Sequence, residues 1–425
     1  SFVMVGEIRL SVNEYEGDIE MKVNVIGLGY IGLPTALMLA SKGNEVVGTD
    51  IDQSVVNELN EGKVGFEEEG LQELFERARS NNIVFTTQYE KADVYIVAVP
   101  TPYVKRSKKV DAVCVKKAVC SVLDVCDSGS ILVIESTISP GTIEKQIRTV
   151  VKEHEKGKDI HLVHAPERII PGRMVFELEN NNRTIGADEE RIGQQVKKLY
   201  RTFCKGEITV TDIKTAEMTK VVENTYRDIN IAFANELTKI CRTDNLDVYE
   251  IIRIANMHPR VNILSPGPGV GGHCISVDPW FLVGDYPGLA NIILAARKIN
   301  DSMPEFVLER ICEIMEENGI TKVSRIGLYG LTYKENVDDV RESPTLQLLE
   351  CMKRHLAGGI KVYDPFVHRN IVKNQYQDYQ EFLNNIDMVV IMVGHDHLLK
   401  DLDQLKNKVV LDTRNVCNDR NVYKL

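Results

Sequence analysis

The chain has 425 residues, of which 43% are hydrophobic and 27% charged, and its formal net charge is -11. That length suggests two or three domains at roughly 150 residues each, and the acidic balance disfavours a chain-wide grip on nucleic acid or an anionic membrane. No apolar run approaches the roughly 18 residues that span a bilayer. Nine cysteines are scattered without Cys-x-x-Cys pairs, so we expect reduced thiols in a cytoplasmic protein.

The N-terminal part alternates strand-like and helix-like segments. Residues 1–20 lack the basic start and apolar core of a signal peptide, and we expect an extension ahead of the first domain. After Met21, the run Lys22–Ile26 is followed by three glycines and a helical stretch, Leu33–Lys42. Four more strand-like runs follow: Glu45–Thr49, Val94–Val99, Ile131–Glu135 and His161–Val163. Strands that alternate with helices predict a parallel sheet covered on both faces.

A long helical pattern without glycine or proline then covers Thr215–Arg242. Its apolar residues recur at helical spacing, which fits a spine or oligomer interface and equally a buried helix inside one domain. Beyond residue 320 the strand-like runs return: Ser324–Tyr329, Ile360–Tyr363, Met388–Val393 and Lys408–Leu411. We therefore predict an α/β protein with a Rossmann-type domain at 21–208, a central long-helix dimerisation domain at 209–305 and a Rossmann-like domain at 320–425.

The first motif is Gly27-Leu28-Gly29-Tyr30-Ile31-Gly32, between the first strand and the first helix. Gly27 would allow the tight turn, Gly29 would let a pyrophosphate approach the backbone, and Gly32 would let the helix pack on the strand. The helix N-terminus would offer amides to the phosphates. The pattern alone is weak evidence, but here its strand and helix context agrees with dinucleotide binding.

An acid at the end of the next strand completes this fingerprint. Asp50 would accept hydrogen bonds from the adenosine ribose and repel a 2′-phosphate, so NAD is favoured over NADP. Asp52 is the alternative acid. It is better explained as a solvated residue that opens the following turn.

The second motif is the loop Gly267-Pro268-Gly269-Val270-Gly271-Gly272-His273-Cys274, followed by Asp278. So many glycines place the backbone very close to something else. A cysteine in such a loop is a candidate nucleophile, whereas the other eight cysteines are expected to be small buried hydrophobes. His273 is a candidate base, but adjacent side chains usually point apart, so a packing role is favoured.

From Met21 to the C-terminus the chain resembles the UDP-glucose/UDP-N-acetylmannosamine dehydrogenase family, NAD-dependent enzymes that oxidise the C6 alcohol of a sugar to a carboxylate. Besides the glycine motif and the Cys274 loop, shared motifs carry the resemblance in order. They are Val99-Pro100-Thr101-Pro102, Glu135-Ser136-Thr137, Pro166-Glu167-Arg168, Lys220 with Asn224, Tyr333-Lys334-Glu335-Asn336, Arg341-Glu342-Ser343-Pro344 and Asp412-Thr413-Arg414.

The resemblance also points to a branch of the family. UDP-glucose members carry Lys-Asp after the cysteine, whereas Val277 stands in the lysine position here and only Asp278 remains. The Val-Asp-Pro-Trp-Phe ending at 277–281 resembles members that oxidise UDP-N-acetyl-D-mannosamine, with UDP-GlcNAc, UDP-GalNAc and UDP-glucose as alternative substrates.

This resemblance implies a four-electron oxidation, in which two hydrides pass to two successive NAD molecules. Cys274 would hold the half-oxidised sugar as a thiohemiacetal and then as a thioester. Lys220 would stabilise oxyanions or shuttle protons, with Asn224 one turn away on the same helix face. Asp278 would position water or tune Lys220, while Glu167 is the competing base for hydrolysis. Thr137 would contact the nicotinamide end or a catalytic water.

Further ligand contacts are implied by the same resemblance. In addition to the glycines, Asp50 and Thr137, the cofactor contacts are Tyr30, Ile31, Thr101 and Arg341. The UDP-sugar contacts are Arg168, Ile169, Lys220, Asn224, Arg227, His258, Arg260, Gly271, Tyr333, Lys334 and Arg414. Each of three residues has a simpler alternative. Lys220 would be a solvent-facing lysine, Arg341 a residue of a surface ion pair, and His258 an ordinary loop histidine. No metal is implied.

In the family, the loop that holds His258 and Arg260 reaches into the neighbouring subunit's site, which implies a homodimer or tetramer. Two rivals of different class remain open. A two-electron β-hydroxyacid dehydrogenase would share the first domain and the long helix but would have no use for Cys274. A non-catalytic nucleotide-sugar sensor would bind the same ligands and form no NADH.

Overall fold

The computed structural model describes residues 21–66, 68–104, 106–154, 158–272, 274–355, 358–418 and 422–425. The extension expected at residues 1–20 lies outside the described residues, as does His273. No helix within the described ranges has the length and apolar character needed to cross a membrane.

The N-terminal region contains an eight-stranded sheet and a small antiparallel hairpin. In chain order its strands are β1 Lys22–Ile26, β2 Glu45–Thr49, β3 Val84–Thr86, β4 Val94–Val97, β5 Tyr103–Val104, β6 Lys109–Val110, β7 Ile131–Ile134, β8 His161–His164, β9 Arg183–Ala187 and β10 Ile208–Thr211. The sheet order is β10-β9-β8-β7-β4-β1-β2-β3, and β5 pairs with β6 in the hairpin. Every pairing in the large sheet is parallel except β8 with β9.

Helices cover both faces of this sheet, as the alternating pattern predicts. They are α1 Gly32–Ser41, α2 Gln53–Asn60, α3 Leu71–Ser80, α4 Val113–Val125, α5 Arg148–Glu153, α6 Met174–Asn180 and α7 Glu190–Arg201, with a π-helical turn at Ile143–Ile147 ahead of α5. The central strands are buried along their whole length, so they read as continuous apolar runs rather than alternating ones. Two apolar clusters pack against the sheet, one beneath α1, α3 and α7, the other beneath α4 and α5.

The central region is helical and is built on one 31-residue helix. Its members are α8 Ile213–Thr243, α9 Val248–Ala255, α10 Asp278–Asp285, α11 Asn291–Asp301 and α12 Met303–Glu317. The carboxylate of Asp212 caps α8 by accepting a hydrogen bond from the Thr215 amide at 2.9 Å. One side of α8 is buried against α10, α11 and the first sheet. Its other side leaves Val222, Tyr226, Phe233 and Ile240 about half exposed.

The C-terminal region is a second, smaller parallel sheet. Its elements are β11 Ile326–Tyr329, α13 Pro344–Arg354, β12 Lys361–Tyr363, β13 Gln375–Tyr376, α14 Tyr379–Asn384, β14 Met388–Ile391, α15 Asp396–Leu399, β15 Val409–Asp412 and β16 Tyr423–Lys424. The order is β13-β12-β11-β14-β15-β16. Helices α12 and α13 cover one face, and α14 and α15 the other. The predicted fold class, with two Rossmann-like regions flanking a helical centre, is confirmed.

Candidate active site

The glycine turn after β1 has the geometry that a bound pyrophosphate requires. Gly27 has φ +90°, and a Cβ at this position would lie 2.8 Å from the Ala98 carbonyl oxygen. A Cβ on Gly32 would lie 1.8 Å from the Gly27 carbonyl oxygen, so helix and turn touch at backbone distance. By contrast, a Cβ on Gly29 would meet nothing within 4 Å. The two outer glycines therefore shape the turn, and the middle one leaves open space at the start of α1.

Asp50 lies beside this turn at the end of β2. One of its carboxylate oxygens accepts a hydrogen bond from the Leu28 amide at 2.8 Å, and the other from the Asp52 amide at 2.9 Å. The alternative acid Asp52 caps α2 through the Ser54 amide, and these hydrogen bonds hold the pKa of its carboxyl below the ordinary value. The turn and Asp50 thus fit a dinucleotide without a 2′-phosphate.

The C-terminal region reaches the glycine turn through Arg341. Its guanidinium carbon lies 4.9 Å from the Tyr30 ring centroid, and its nitrogens form a bidentate ion pair with Asp339. Phe66 packs on the same tyrosine, with ring centroids 4.5 Å apart. Burial and the nearby carboxylates raise the pKa of Tyr30 to about 12. Ile31 is the residue that precedes α1. Arg341 therefore forms an ion pair, one of the two predicted alternatives, and also borders the cofactor turn.

Thr101 and Thr137 are brought together at the carboxyl edge of the first sheet. The Thr101 hydroxyl donates to the Thr137 carbonyl at 2.6 Å, and the Ser136 hydroxyl donates to the Val99 carbonyl at 2.7 Å. These bonds join the loops that follow β4 and β7. Both predicted threonines therefore lie at the edge where ligands of open α/β sheets bind.

The loop that carries Cys274 is enclosed by the C-terminal region. The Gly272 amide donates to the Arg341 carbonyl at 3.0 Å. A Cβ on Gly271 would lie 2.6 Å from the Glu342 carbonyl oxygen, and one on Gly272 would lie 2.9 Å from the Tyr333 ring. Glycine is required at both positions because another chain segment occupies the space. The loop backbone therefore lies very close to another segment, as predicted, and that segment is part of the protein itself.

Cys274 lies next to the predicted acid, and Asn224 binds that acid. The Asp278 amide donates to the Cys274 carbonyl at 2.8 Å, so the first turn of α10 holds the cysteine against the acid. The Asn224 side-chain amide donates to the Asp278 carboxylate at 2.6 Å. Lys220, one helical turn before Asn224, is buried and acts on both groups electrostatically. Four of the predicted catalytic residues, Lys220 and Asn224 on α8, Asp278 at the start of α10 and Cys274 in the turn before it, thus form one cluster.

The protonation of this cluster follows from its surroundings. Burial raises the pKa of Asp278 to about 6, although Lys220 and the Asn224 amide oppose the shift. Cys274 is open to solvent, yet protein crowds around it, and this crowding together with the Asp278 charge raises the pKa of its thiol. Lys220, Arg341 and Arg227 act in the opposite direction. At neutral pH, Asp278 carries its charge and the thiol keeps its proton.

His164 at the end of β8 is a site residue that the sequence analysis missed. Its side chain is fully buried, and Nδ1 lies 2.8 Å from the Ile134 carbonyl oxygen. Burial, together with the charge of Lys220, lowers the pKa of His164 to about 3, so the ring is neutral. Nε2 has no hydrogen-bond partner among the described residues. Its position, two residues before the Pro166-Glu167-Arg168 motif, is the only signal that the sequence offered.

Glu167 lies in a buried charge cluster with Arg183 and Glu135. Its carboxylate pairs with the Arg183 guanidinium and accepts a hydrogen bond from the Arg168 amide at 2.6 Å. Arg183 also faces Glu135 at 3.8 Å, and the Tyr200 hydroxyl donates to Glu135 at 3.0 Å. Burial and the neighbouring Glu167 raise the pKa of Glu135 to about 8. Glu167 therefore forms a buried salt bridge with Arg183, while its role as a base stays a prediction.

Two residues predicted to bind the sugar nucleotide are engaged with the protein itself. Arg168 forms hydrogen bonds of 2.7–3.0 Å with Glu223, and further bonds to the Asn182 carbonyl and the Thr184 hydroxyl. The neighbouring Ile169 packs on the core below α1. The ligand role of both residues stays a prediction, and the structure gives each of them an intramolecular role.

Two basic residues of the C-terminal region contact the other regions of the chain. Lys334 donates to the Pro171 carbonyl at 2.9 Å and so bridges to the first region. Arg414 lies against the cysteine loop, with a guanidinium nitrogen 2.7 Å from a Cβ built on Gly267. His258 and Arg260 follow α9 on an exposed loop, where the Arg260 amide donates to the His258 ring at 3.3 Å.

Comparison with known proteins decides the family. The sequence models of the UDP-glucose/GDP-mannose dehydrogenase family match in chain order: the NAD binding domain at residues 21–204, the central domain at 214–302 and the UDP binding domain at 327–419. The chain belongs to the UDP-glucose/GDP-mannose dehydrogenase family. Its glycine turn therefore lies in the family's NAD binding domain, and Lys334 and Arg414 lie in its UDP binding domain.

Individual relatives within this family cover nearly the whole chain. The UDP-N-acetyl-D-mannosamine dehydrogenase of Methanocaldococcus jannaschii is 43% identical over 409 residues, 93% of each chain. The UDP-N-acetyl-mannosamine dehydrogenase Cap5O of Staphylococcus aureus is 40% identical, with a TM-score of 0.84 over 95% of this chain and 98% of that one. The UDP-D-ManNAc dehydrogenase structure from Pyrococcus horikoshii is 36% identical, with a TM-score of 0.86 over 94% and 96%.

Proposed function

We propose that this chain is an NAD-dependent UDP-sugar 6-dehydrogenase that oxidises UDP-N-acetyl-D-mannosamine to UDP-N-acetyl-D-mannosaminuronate. The observation that carries the proposal is the cluster of Cys274, Asp278, Lys220 and Asn224, held by the C-terminal region at the edge of the NAD binding domain. A two-electron alcohol dehydrogenase needs a base but no thiol. A nucleophilic cysteine beside a lysine and a carboxylate suits the oxidation of an aldehyde to an acid.

Cys274 carries the covalent part of the proposed reaction. Its sulfur adds to the C6 aldehyde, a C–S bond forms, and the thiol proton passes to the carbonyl oxygen, which gives a thiohemiacetal. Loss of hydride from that carbon and of the proton from its hydroxyl leaves a thioester, and water then cleaves the C–S bond to release the carboxylate, a proton and the thiol. NAD+, bound at the glycine turn, would supply the hydride acceptor for both oxidations.

Lys220 and Asn224 are placed to act on the oxygen of the reacting carbon. Both residues lie on one face of α8, and the buried Lys220 is the cation that most opposes the raised pKa of Cys274, so it is placed to stabilise a developing oxyanion. Asp278 is subject to the same Lys220 charge and accepts the hydrogen bond from Asn224. Asp278 would thereby orient the hydrolytic water during cleavage of the thioester.

The UDP binding domain supports a UDP-sugar as substrate. Arg414 and the Tyr333 ring lie against the cysteine loop, and Lys334, in the same domain, reaches the Pro171 carbonyl of the first region. Cations at these positions would give charge-assisted hydrogen bonds to the diphosphate. For the sugar, the support is the naming of the 40–43% identical relatives and the valine at 277, where UDP-glucose members have lysine.

Assembly into a homodimer or tetramer is part of the proposal. The outward side of α8 leaves Tyr226 63% exposed and Phe233 50% exposed, and such an apolar stripe on a long helix fits a symmetric partner. The exposed Arg260 loop would then reach the partner's site with His258. Cys114, Cys120, Cys274 and Cys312 are exposed thiols, which supports a cytoplasmic location.

The stoichiometry of NADH tests the reaction. We expect two NADH per sugar consumed with UDP-N-acetyl-D-mannosamine, and lower kcat/KM with UDP-N-acetylglucosamine, UDP-N-acetylgalactosamine and UDP-glucose. One NADH per substrate would support a β-hydroxyacid type of dehydrogenase. Binding of both ligands without NADH would support a sensor. Faster turnover of UDP-glucose than of UDP-N-acetyl-D-mannosamine would instead support a UDP-glucose 6-dehydrogenase.

A further inference from the structure

The second sheet repeats the strand–turn–acid arrangement of the first. Gly330 follows β11 with φ +100°, and its amide donates to the Tyr363 carbonyl at 2.8 Å. Gly27 has the same relation to Thr49, also at 2.8 Å. In each sheet, the acid after the neighbouring strand accepts a hydrogen bond from the residue after the glycine. For Asp364 the donor is the Leu331 amide at 2.6 Å, as Leu28 is for Asp50.

His395 distinguishes the second turn from the first. Its ring is fully buried between the acid and the loop, with Nε2 3.2 Å from an Asp364 carboxylate oxygen and Nδ1 2.9 Å from the Asn336 amide nitrogen. The Asn336 amide is a donor, so Nδ1 accepts and Nε2–H donates to the acid. Asp364 also accepts from the Thr332 and Phe366 amides. Its oxygens are therefore occupied by the protein.

These contacts hold both ends of one short loop. Asp364 holds the Leu331–Thr332 end, and His395 holds Asn336, whose φ is +57°. The Asp396 amide, next to the histidine, donates to the Asn336 side-chain oxygen at 3.0 Å. Between the two ends lie Tyr333, against Gly272 of the cysteine loop, and Lys334, bound to the Pro171 carbonyl.

We propose that His395 is a positioning residue that fixes Tyr333 and Lys334 for the UDP-sugar, and that it removes Asp364 from ligand binding. In the first sheet, Asp50 is half-buried and borders the open space of the turn. In the second sheet, the His395 imidazole lies beside Asp364, so the carboxylate cannot accept hydrogen bonds from the two hydroxyls of a ribose. The repeated turn thus becomes a rigid platform for a diphosphate sugar. This inference rests on the proposed function for its ligand, but its structural part is independent of it.

Substitutions that keep one contact at a time test the proposal. His395→Asn keeps an acceptor near Nδ1 for the Asn336 amide, and His395→Gln keeps a donor near Nε2 for Asp364. His395→Leu removes both. The matched control is His397→Gln, because His397 lies two residues away on the exposed side of the same segment and bonds to the Tyr329 hydroxyl at 3.0 Å instead of the loop.

We expect His395→Leu to raise the KM for the UDP-sugar and the Kd for UDP by about tenfold or more, the effect of losing buried hydrogen bonds. The KM for NAD should stay within about twofold, because the cofactor turn lies on the other sheet. His395→Asn should recover most of the lost UDP affinity, whereas His397→Gln should resemble the wild type. Equal changes in the two KM values, or unchanged UDP affinity in His395→Leu and His395→Gln, would overturn the proposal.

Hydrogen exchange separates this inference from the proposed function. The amides of residues 331–336 should exchange faster in His395→Leu than in the wild type, with or without any ligand. Should the wild type neither bind UDP nor form NADH, the proposed function fails, and faster exchange still supports the structural part. Should the wild type turn over normally while exchange in His395→Leu is unchanged, the positioning role is refuted and the function stands.

Discussion

The side-chain amide of Asn224 and the carboxylate of Asp278 lie 2.6 Å apart, across the gap between α8 and α10. This hydrogen bond links the helix that carries Lys220 to the turn that carries Cys274. Asp278 is almost completely buried, and its pKa rises to about 6 from 3.8. A group that titrates there changes charge within the range in which enzymes are assayed.

The pH profile should therefore report Asp278. Its carboxylate form is the one proposed to orient water, so we expect kcat/KM to rise with pH through a limb near 6. Asp278→Asn keeps the side-chain volume and removes the charge. We expect it to lose about 10- to 100-fold in kcat together with that limb. The exposed Asp127→Asn is the control and should keep the limb; a limb retained by Asp278→Asn would assign it to another group.

Glu135 should make the fold less stable as the pH rises. Its pKa is raised from 4.5 to about 8, so the native state binds more protons than the unfolded state within that window. The stability that the protonated form provides is fully present below 4.5 and is lost through pH 8. At pH 9, Glu135→Gln should therefore be more stable than the wild type by about 1–3 kcal/mol and should unfold at a higher temperature.

Thermal unfolding at pH 5, 7 and 9 measures this effect of Glu135. The exposed Glu144→Gln should show no comparable gain, because Glu144 pairs with Arg148 at the surface. A Glu135→Gln curve parallel to that of the wild type at all three pH values would contradict the assigned titration.

Two glycines of the same turn should fail in different ways. Gly29→Ala adds a methyl group to open space, so folding should be unaffected, while NAD binding should weaken by about 10-fold or more as the methyl blocks the pyrophosphate. Gly32→Ala places a methyl group 1.8 Å from a carbonyl oxygen and should cost about 3 kcal/mol or more in stability. Calorimetric unfolding and NAD titration separate the two effects; normal NAD affinity in Gly29→Ala would place the phosphates elsewhere.

Loss of the Cys274 thiol should stop steady-state turnover. Cys274→Ser and Cys274→Ala should still bind the UDP-sugar, because the cations proposed to bind the diphosphate lie on other elements. Cys312→Ser, an exposed cysteine on α12, should behave as the wild type. Near-normal NADH production by Cys274→Ala would remove the covalent route.

Mixing Arg260→Ala with Cys274→Ala, at a UDP-sugar concentration too low for Arg260→Ala to turn over, tests the reach of the Arg260 loop. Arg260→Ala should weaken binding of the UDP-sugar and leave the affinity for NAD unchanged. If the loop completes the partner's site, exchange between Arg260→Ala and Cys274→Ala subunits creates one intact site in each mixed dimer. After random exchange of equal amounts, about a quarter of all sites should be intact, and activity should return to about a quarter of the wild-type value. No recovery, with subunit exchange verified, would place Arg260 in its own subunit's site or outside both.

The sequence predicted well those features that depend on local pattern. The bounds of β1 and β2 agree with the prediction, and α8 at Ile213–Thr243 extends the predicted Thr215–Arg242 by a few residues, because Asp212 caps it one turn earlier. The strand predicted at Val94–Val99 ends at Val97, where the chain leaves the sheet for the Thr101 loop. The sequence analysis did not predict β9 and β10, because each carries few apolar residues in a row.

Features made by contacts distant in sequence could not be predicted. Nothing near Arg168 in the sequence reveals that Glu223, 55 residues later, occupies its guanidinium. The neutral ring of His164 likewise depends on burial, as does the sharing of Arg183 by Glu167 and Glu135. A single sequence does not report burial. Spacing within one helix pairs Lys220 with Asn224, and spacing within one turn pairs Cys274 with Asp278, but the contact that joins the two pairs spans 54 residues and is visible only in the structure.

The cysteine loop has almost no side chains of its own, and residues of the UDP binding domain fill the spaces beside its glycines. Tyr333 lies where side chains on Gly271 and Gly272 would project, and Arg414 lies where one on Gly267 would project. The backbone of the loop that carries Cys274 is therefore packed against side chains of another domain. A chimera that takes its C-terminal domain from a relative would have to keep side chains of the same shape at these two positions. Without them, each domain would still fold, but the cysteine loop would not be held and the chimera would be inactive.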